Sequence, residues 1–277
     1  MQWKYNDEST QAASVNLKLS LEPDLLMRPK PLNYHESTRM RIKGEENILP
    51  QELEKFPEFA LKNKLVINSK KCYSMLFTRS RNYAFPPEFS VGNKKVLEVK
   101  KTLRILGVLL QDDTKWQAQV EEMVRQATNT IWVLRRMRSL GVDQKTLVAY
   151  WKSEGRVHLE LACPVWHSGL TIAQSQALDR AQRVAMAAIT GRWEPSHTSQ
   201  LDQLGLERLQ PRRVRLCRTF AERTARDSRH TDLFMPTGFG ERAGKHTVRY
   251  RESLSRTATH CNSAVPYLTR LLNSSEQ

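Results

Sequence analysis

Apolar positions recur at two different periods along this chain of 277 residues. From Leu65 to Leu110 they fall in short runs. Leu65-Val66-Ile67 and Cys72-Tyr73-Ser74-Met75-Leu76-Phe77 flank the polar turn Asn68-Ser69-Lys70-Lys71. Such β-branched and aromatic clusters around a polar break predict two short strands. Phe89-Ser90-Val91 and Val96-Leu97-Glu98-Val99 bracket Gly92-Asn93, a pair suited to positive φ, and Leu103 to Leu110 reads as one more buried strand. Residues 65–110 are therefore expected to form a small antiparallel sheet. After Asp112 the spacing turns helical, with Val120, Val124, Ala127, Ile131 and Leu134 on one stripe and Gly141 as the stop. Asp143 is suited to cap a second helix, Gln144 to Leu161, that ends before Pro164. A third helix is expected from Ile172 to Ile189, buried through Leu178, Ala181, Ala185 and Ala188 and ended by Gly191, and a fourth begins near Pro211. The fold class expected is α+β, predominantly α, a small sheet followed by a helical bundle.

The flanks are poorer in pattern. Between Glu22 and Glu58 lie Pro23, Pro29, Pro31, Pro50 and Pro57 amid charged residues, which interrupt helix and strand alike and predict a flexible linker over 21–58. The stretch from Met235 to Arg256 is rich in Gly and Arg and reads as loop, so 235–277 is expected to be a basic loop and tail. This leaves 59–112 as the sheet portion, 113–234 as the helical domain and 1–20 as a separate polar start.

Charge changes the picture. The net charge is +15, and it is uneven: residues 1–58 carry 8 Lys/Arg against 10 Asp/Glu, whereas 59–277 carry 36 against 19. A basic excess confined to the structured part creates a field that attracts polyanions, nucleic acid being the commonest. No window approaches the roughly 20 apolar residues of a membrane span. The start Met1-Gln2-Trp3-Lys4-Tyr5-Asn6-Asp7-Glu8 lacks a secretory pattern, and four widely spaced cysteines predict free thiols. An intracellular protein of cytoplasm or nucleus, without a membrane partner, is expected. No Ser-His-Asp order, Gly-rich nucleotide loop or Walker motif is present.

Several strings, in order, give the chain a recognisable likeness. They are Asn63-Lys64-Leu65-Val66-Ile67-Asn68-Ser69-Lys70-Lys71, Leu106-Gly107-Val108, Trp132-Val133-Leu134-Arg135-Arg136 and Cys163-Pro164-Val165-Trp166-His167-Ser168. Leu178-Asp179-Arg180-Ala181-Gln182-Arg183 and Ser263-Ala264-Val265-Pro266-Tyr267-Leu268-Thr269-Arg270-Leu271-Leu272-Asn273 continue them. Over about residues 58 to 273 the sequence resembles the carboxy-terminal part of a reverse transcriptase, an RNA-directed DNA polymerase, from a non-LTR (LINE-type) retrotransposon. The resemblance implies that 65–110 are the end of the palm and the primer-grip hairpin, and that the helices beyond form a thumb. It also implies that Tyr5-Asn6-Asp7-Glu8 stands where the family has its Tyr-x-Asp-Asp box, with Glu8 in place of the second aspartate. Asp7 and Glu8 are then the candidate catalytic residues and Asp7 a candidate Mg²⁺ ligand. Two-metal nucleotidyl transfer needs further carboxylates converging on ions about 3.5 to 4 Å apart. The family takes its partner aspartate from an earlier palm strand, which has no place ahead of Tyr5. Catalysis is therefore expected only in association with upstream reverse-transcriptase parts, with Mg²⁺ as cofactor in that case alone.

Candidate nucleic-acid contacts follow the cations. Lys70, Lys71, Arg79 and Arg81 suit either template or primer phosphates or a solvated strand edge. Arg135, Arg136 and Arg138 suit either phosphates or the carboxyl end of a helix dipole. Arg212, Arg213, Arg215, Arg218, Arg223 and Arg226 are opposed within their helix by Glu222 alone, which favours RNA, DNA or a hybrid as the ligand. Trp132, Trp151 and Trp166 are expected in the core. The rival to a polymerase fragment is a retained, non-enzymatic nucleic-acid-binding or interaction module.

Overall fold

The computed structural model describes residues 14–18, 21–22, 49–68, 72–77, 97–237, 250–255 and 257–274. Along the chain they divide between Lys115 and Trp116 into two units, a mixed one before and a helical one after. The fold is α+β and predominantly α.

In the mixed unit, β1 (Ser14–Lys18) pairs antiparallel with β4 (Tyr73–Phe77), and β5 (Glu98–Val99) joins β4 in parallel. β2 (Leu21–Glu22) pairs with β3 (Val66–Ile67). The run Leu103 to Leu110 is two strands rather than one. β6 (Thr102–Ile105) and β7 (Val108–Gln111) form a hairpin with Ile105 opposite Val108. Leu106 and Gly107 make its two-residue turn with φ +48 and +88, a primed geometry that Gly107 accepts freely and Leu106 accepts with its side chain exposed. The linker expected over 21–58 is corrected at its end, where α1 runs from Leu49 to Lys62. Pro50 sits in the first turn, where an amide hydrogen has no helical partner to lose, and Pro57 forfeits one bond inside. Phe89-Ser90-Val91 and Gly92-Asn93 lie outside the described residues.

The helical unit is built on α2 (Gln117–Ser139) and α6 (Ile172–Thr190). Val120, Met123, Ala127, Ile131 and Leu134 of α2 are buried, as are Leu178, Ala181, Ala185 and Ala188 of α6. The two helices run in the same direction: Gln174 Nε2 donates to Gln117 Oε1 at 3.2 Å near their starts, and the Arg138 guanidinium lies over Gly191 at their ends. Gly191 has φ +80, and Arg138 occupies the space a Cβ would need. α6 opens on a capping box in which the Thr171 hydroxyl accepts from the Gln174 amide while the Gln174 side chain accepts from the Thr171 amide. Thr171→Ala is expected to destabilise the unit by ~1 kcal/mol in urea unfolding; no measurable change would show that the cap is redundant.

Between these helices the second predicted helix is present but not uniform. α3 (Gln144–Tyr150) starts at Asp143, whose carboxylate accepts from the Thr146 amide at 2.9 Å. It then widens into a π turn, Trp151–Gly155, before α4 (Arg156–His158). Within this turn the fully buried Trp151 indole lies against Gly155, where any Cβ would collide with the ring. α5 (Cys163–Trp166) follows, entered through Ala162 at φ +53. Next come α7 (His197–Leu204), between its Ser196 cap and Gly205, and α8 (Leu209–Arg226). The tail is not all loop. α9 (Ala258–Cys261) and α10 (Ala264–Asn273) close the unit, α10 packing on α8 and α5.

Candidate nucleic-acid interface

The arginine series of α8 is engaged from several elements, and its members differ in what is left for a ligand. Arg213 is fully buried, which corrects its assignment as a phosphate contact. Its Nε donates to His167 Nδ1 at 3.4 Å and its Nη2 to Ser175 Oγ at 3.1 Å, while Nη1 is buried without a partner. Arg212 Nε donates to Glu160 at 2.5 Å, and Glu160 also pairs with Arg156 at 3.4 Å. Glu207 takes both Arg212, at 3.2 Å, and Arg215, at 2.6 Å. Arg218 reaches α10, donating to the carbonyl oxygens of Leu271 and Ser274 at 3.0 and 3.1 Å. The counterions missing from the helix itself are thus supplied by Glu160 and Glu207 and by the carboxyl end of α10. Arg223 and Arg226, on the last turn, remain exposed.

Burial sets the chemistry around Arg213. His167 is pulled down to about 4, first by burial and then by the neighbouring Arg213 charge, so its ring is neutral near pH 7 and its Nδ1 is free to accept. Burial also lowers the Arg213 pKa, against the opposing charge of Asp179. The Tyr267 ring meets His167 edge-on at 5.8 Å, and burial pushes its hydroxyl up to about 12. The Cys217 thiol is raised through its hydrogen bond with Cys163 and by burial, and all four cysteines are free thiols. This cluster joins α5, α6, α8 and α10 and is a structural feature of the interior.

Besides Arg223 and Arg226, a further group of exposed cations lies on α2 and α6. Arg135, Arg136 and Arg138 are exposed on the last turns of α2, and Arg180 is exposed on α6. No acidic partner pairs with any of the four among the described residues. Arg183 stacks on the half-exposed Trp193 at 4.7 Å from the ring centre, adding a further cation on α6. Trp132 belongs to this surface too, which corrects its expected place in the core: it is 67% exposed, whereas Trp151 and Trp166 are fully buried as anticipated. Its neighbour Ile131 lies on the buried stripe, and a step of one residue turns a helix by about 100°, carrying Trp132 off that stripe. Arg180 and Arg183 carried a signal as well, three residues apart on the face opposite Leu178 and Ala181.

The remaining candidates are elsewhere. Asp7, Glu8, Lys70, Lys71, Arg79 and Arg81 lie outside the described residues. Among the described residues no His, Cys, Asp and Glu cluster is placed to hold a metal ion, and no helix is long and apolar enough to cross a membrane. No protein-family model, curated protein or solved structure matches the chain.

Proposed function

We propose that the chain is a nucleic-acid-binding protein derived from the palm-end and thumb portion of a non-LTR retrotransposon reverse transcriptase. The observation that carries the binding half is the exposed group Arg135, Arg136, Arg138 and Arg180, which has no acidic partner among the described residues. Unpaired guanidinium groups on the last turns of α2 and midway along α6 form a local positive field, and they match phosphate oxygens in shape as well as charge. The resemblance in ordered strings supports the ancestry. The same surface serves a polymerase fragment or a non-enzymatic module. Glu8 in place of an aspartate favours the module, whereas Mg²⁺-dependent primer extension abolished by Asp7→Asn would favour the polymerase.

Binding through phosphates releases condensed counterions, so affinity for a fluorescein-labelled oligonucleotide is expected to fall steeply with salt. Four phosphate contacts imply a loss of roughly 100-fold between about 50 and about 200 mM salt. The triple replacement of Arg135, Arg136 and Arg138 by Gln should reduce the slope of log affinity against log salt by about 2 to 3 on a duplex. Anisotropy titrations that show no binding, or binding indifferent to salt, would overturn the reading.

A further inference from the structure

We infer that the groove between α2 and α6 receives an unpaired base against Trp132, so that this face prefers single-stranded nucleic acid to a duplex. The inference rests on the nucleic-acid reading above and names the form of the ligand. The groove encloses about 570 Å³, within the range of small-molecule sites. One wall carries Trp132 and, nearly a turn later, Arg135; the other carries Ala173, Gln176, Ala177 and Arg180.

Each part suits a nucleotide. Trp132 is the aromatic side chain that lines the groove and is two-thirds exposed, so its ring is not consumed by the core. Ala173, Ala177 and Ala181 on the α6 wall are small side chains, which keep that wall low enough for a planar ring to enter. Gln176 provides both a donor and an acceptor for a base edge. Arg135 stands beyond Trp132 on the α2 wall, toward the exposed Arg136 and Arg138, and Arg180 lines the α6 wall nearer the helix starts, so a strand crossing the groove would meet a guanidinium on either side of the stacked base. No Asp or Glu lines the groove, so a basic or neutral apolar peptide gains nothing from the arginines, whereas a phosphodiester strand satisfies the ring and the charges together. A base inside a duplex presents only its edges and cannot reach the indole face, which is why strandedness discriminates.

The test uses the full chain, a labelled single strand of about 12 nucleotides and its blunt duplex, at low salt. Trp132→Ala is expected to weaken single-strand binding on the order of 10-fold while changing duplex binding by less than about twofold, with Trp132→Phe retaining most of the affinity. Because Trp132 is on the surface, the variants keep the wild-type thermal melting profile. If the wild type binds neither probe, the phosphate reading itself fails. If it binds both with a steep salt dependence and Trp132→Ala leaves the single strand unchanged or weakens both equally, the phosphate reading stands and base stacking is overturned. Sedimentation that shows a dimer dissociated by Trp132→Ala also overturns it, assigning the groove to a second copy of the chain.

Discussion

Trp166→Ala is expected to lower the unfolding free energy of the helical unit by ~3–5 kcal/mol, the range for truncating a large buried aromatic. The ring has no solvent exposure, so the substitution leaves a cavity rather than a dent. It also removes the indole donor that meets the Leu161 carbonyl at 2.9 Å, leaving that oxygen without this bond at the turn before α5. Trp166→Phe keeps most of the apolar contact and loses the hydrogen bond and part of the volume, so it should cost roughly 1–3 kcal/mol. Urea unfolding of the full chain followed by circular dichroism measures both. An alanine variant within about 1 kcal/mol of the wild type would mean that the surrounding helices collapse onto the site.

Arg213→Ala comes next, with an expected loss of ~3 kcal/mol from the combined loss of packing and of a buried hydrogen-bonded charge. His167 Nδ1 and Ser175 Oγ lose their donor. The more specific readout is titration. Native His167 holds near 4 against an ordinary value of 6.5, because of burial first and the Arg213 charge second. Between those values the unfolded chain binds more protons than the native one, so stability is full above about pH 6.5 and declines as pH falls toward 4. Arg213→Met, which preserves apolar bulk and removes the charge, should restore part of the lost stability and raise the His167 pKa toward its ordinary value, narrowing that acid-sensitive window. The ring proton shifts in an NMR titration would show it, and a His167 still titrating near 4 in the Met variant would assign its depression to burial alone.

What could be read from the chain and what could not divide along physical lines. The long helices announced themselves because burial of one face imposes a period over many turns: the α6 positions Leu178, Ala181, Ala185 and Ala188 are all buried, and Gly191 and Asp143 stand at their helix ends. The β6–β7 hairpin was hidden because an unbroken apolar run does not say where it folds back; only Gly107 marks the place. α7 escaped because it is short, although Ser196 and Gly205 bracket it. The α8 arginines misled for a different reason. Charge balance along one helix omits partners from elsewhere: Glu160 and Glu207 come from other segments, and Arg213 finds its partners in the interior. Pairing across elements is a property of packing and leaves no local trace. Trp132 shows the converse, since counting its angle from Ile131 would have placed it outside.

The parallel course of α2 and α6 bears on how the helical unit assembles. Two antiparallel helices need only a short connection, commonly 2–8 residues. Here the contact between Gln117 and Gln174 spans 57 positions. Relative to a connection of five residues, closing that span costs about 2 kcal/mol more chain entropy, before the central helix pair contributes any packing in return. Ordering of the intervening α3, π turn, α4 and α5 shortens the effective span, so Trp151 and Gly155 are expected to order ahead of the α2–α6 contact. The folding rate of the unit is therefore expected to depend on its connecting segment, with the α2–α6 face, which needs both helices side by side, completed after it.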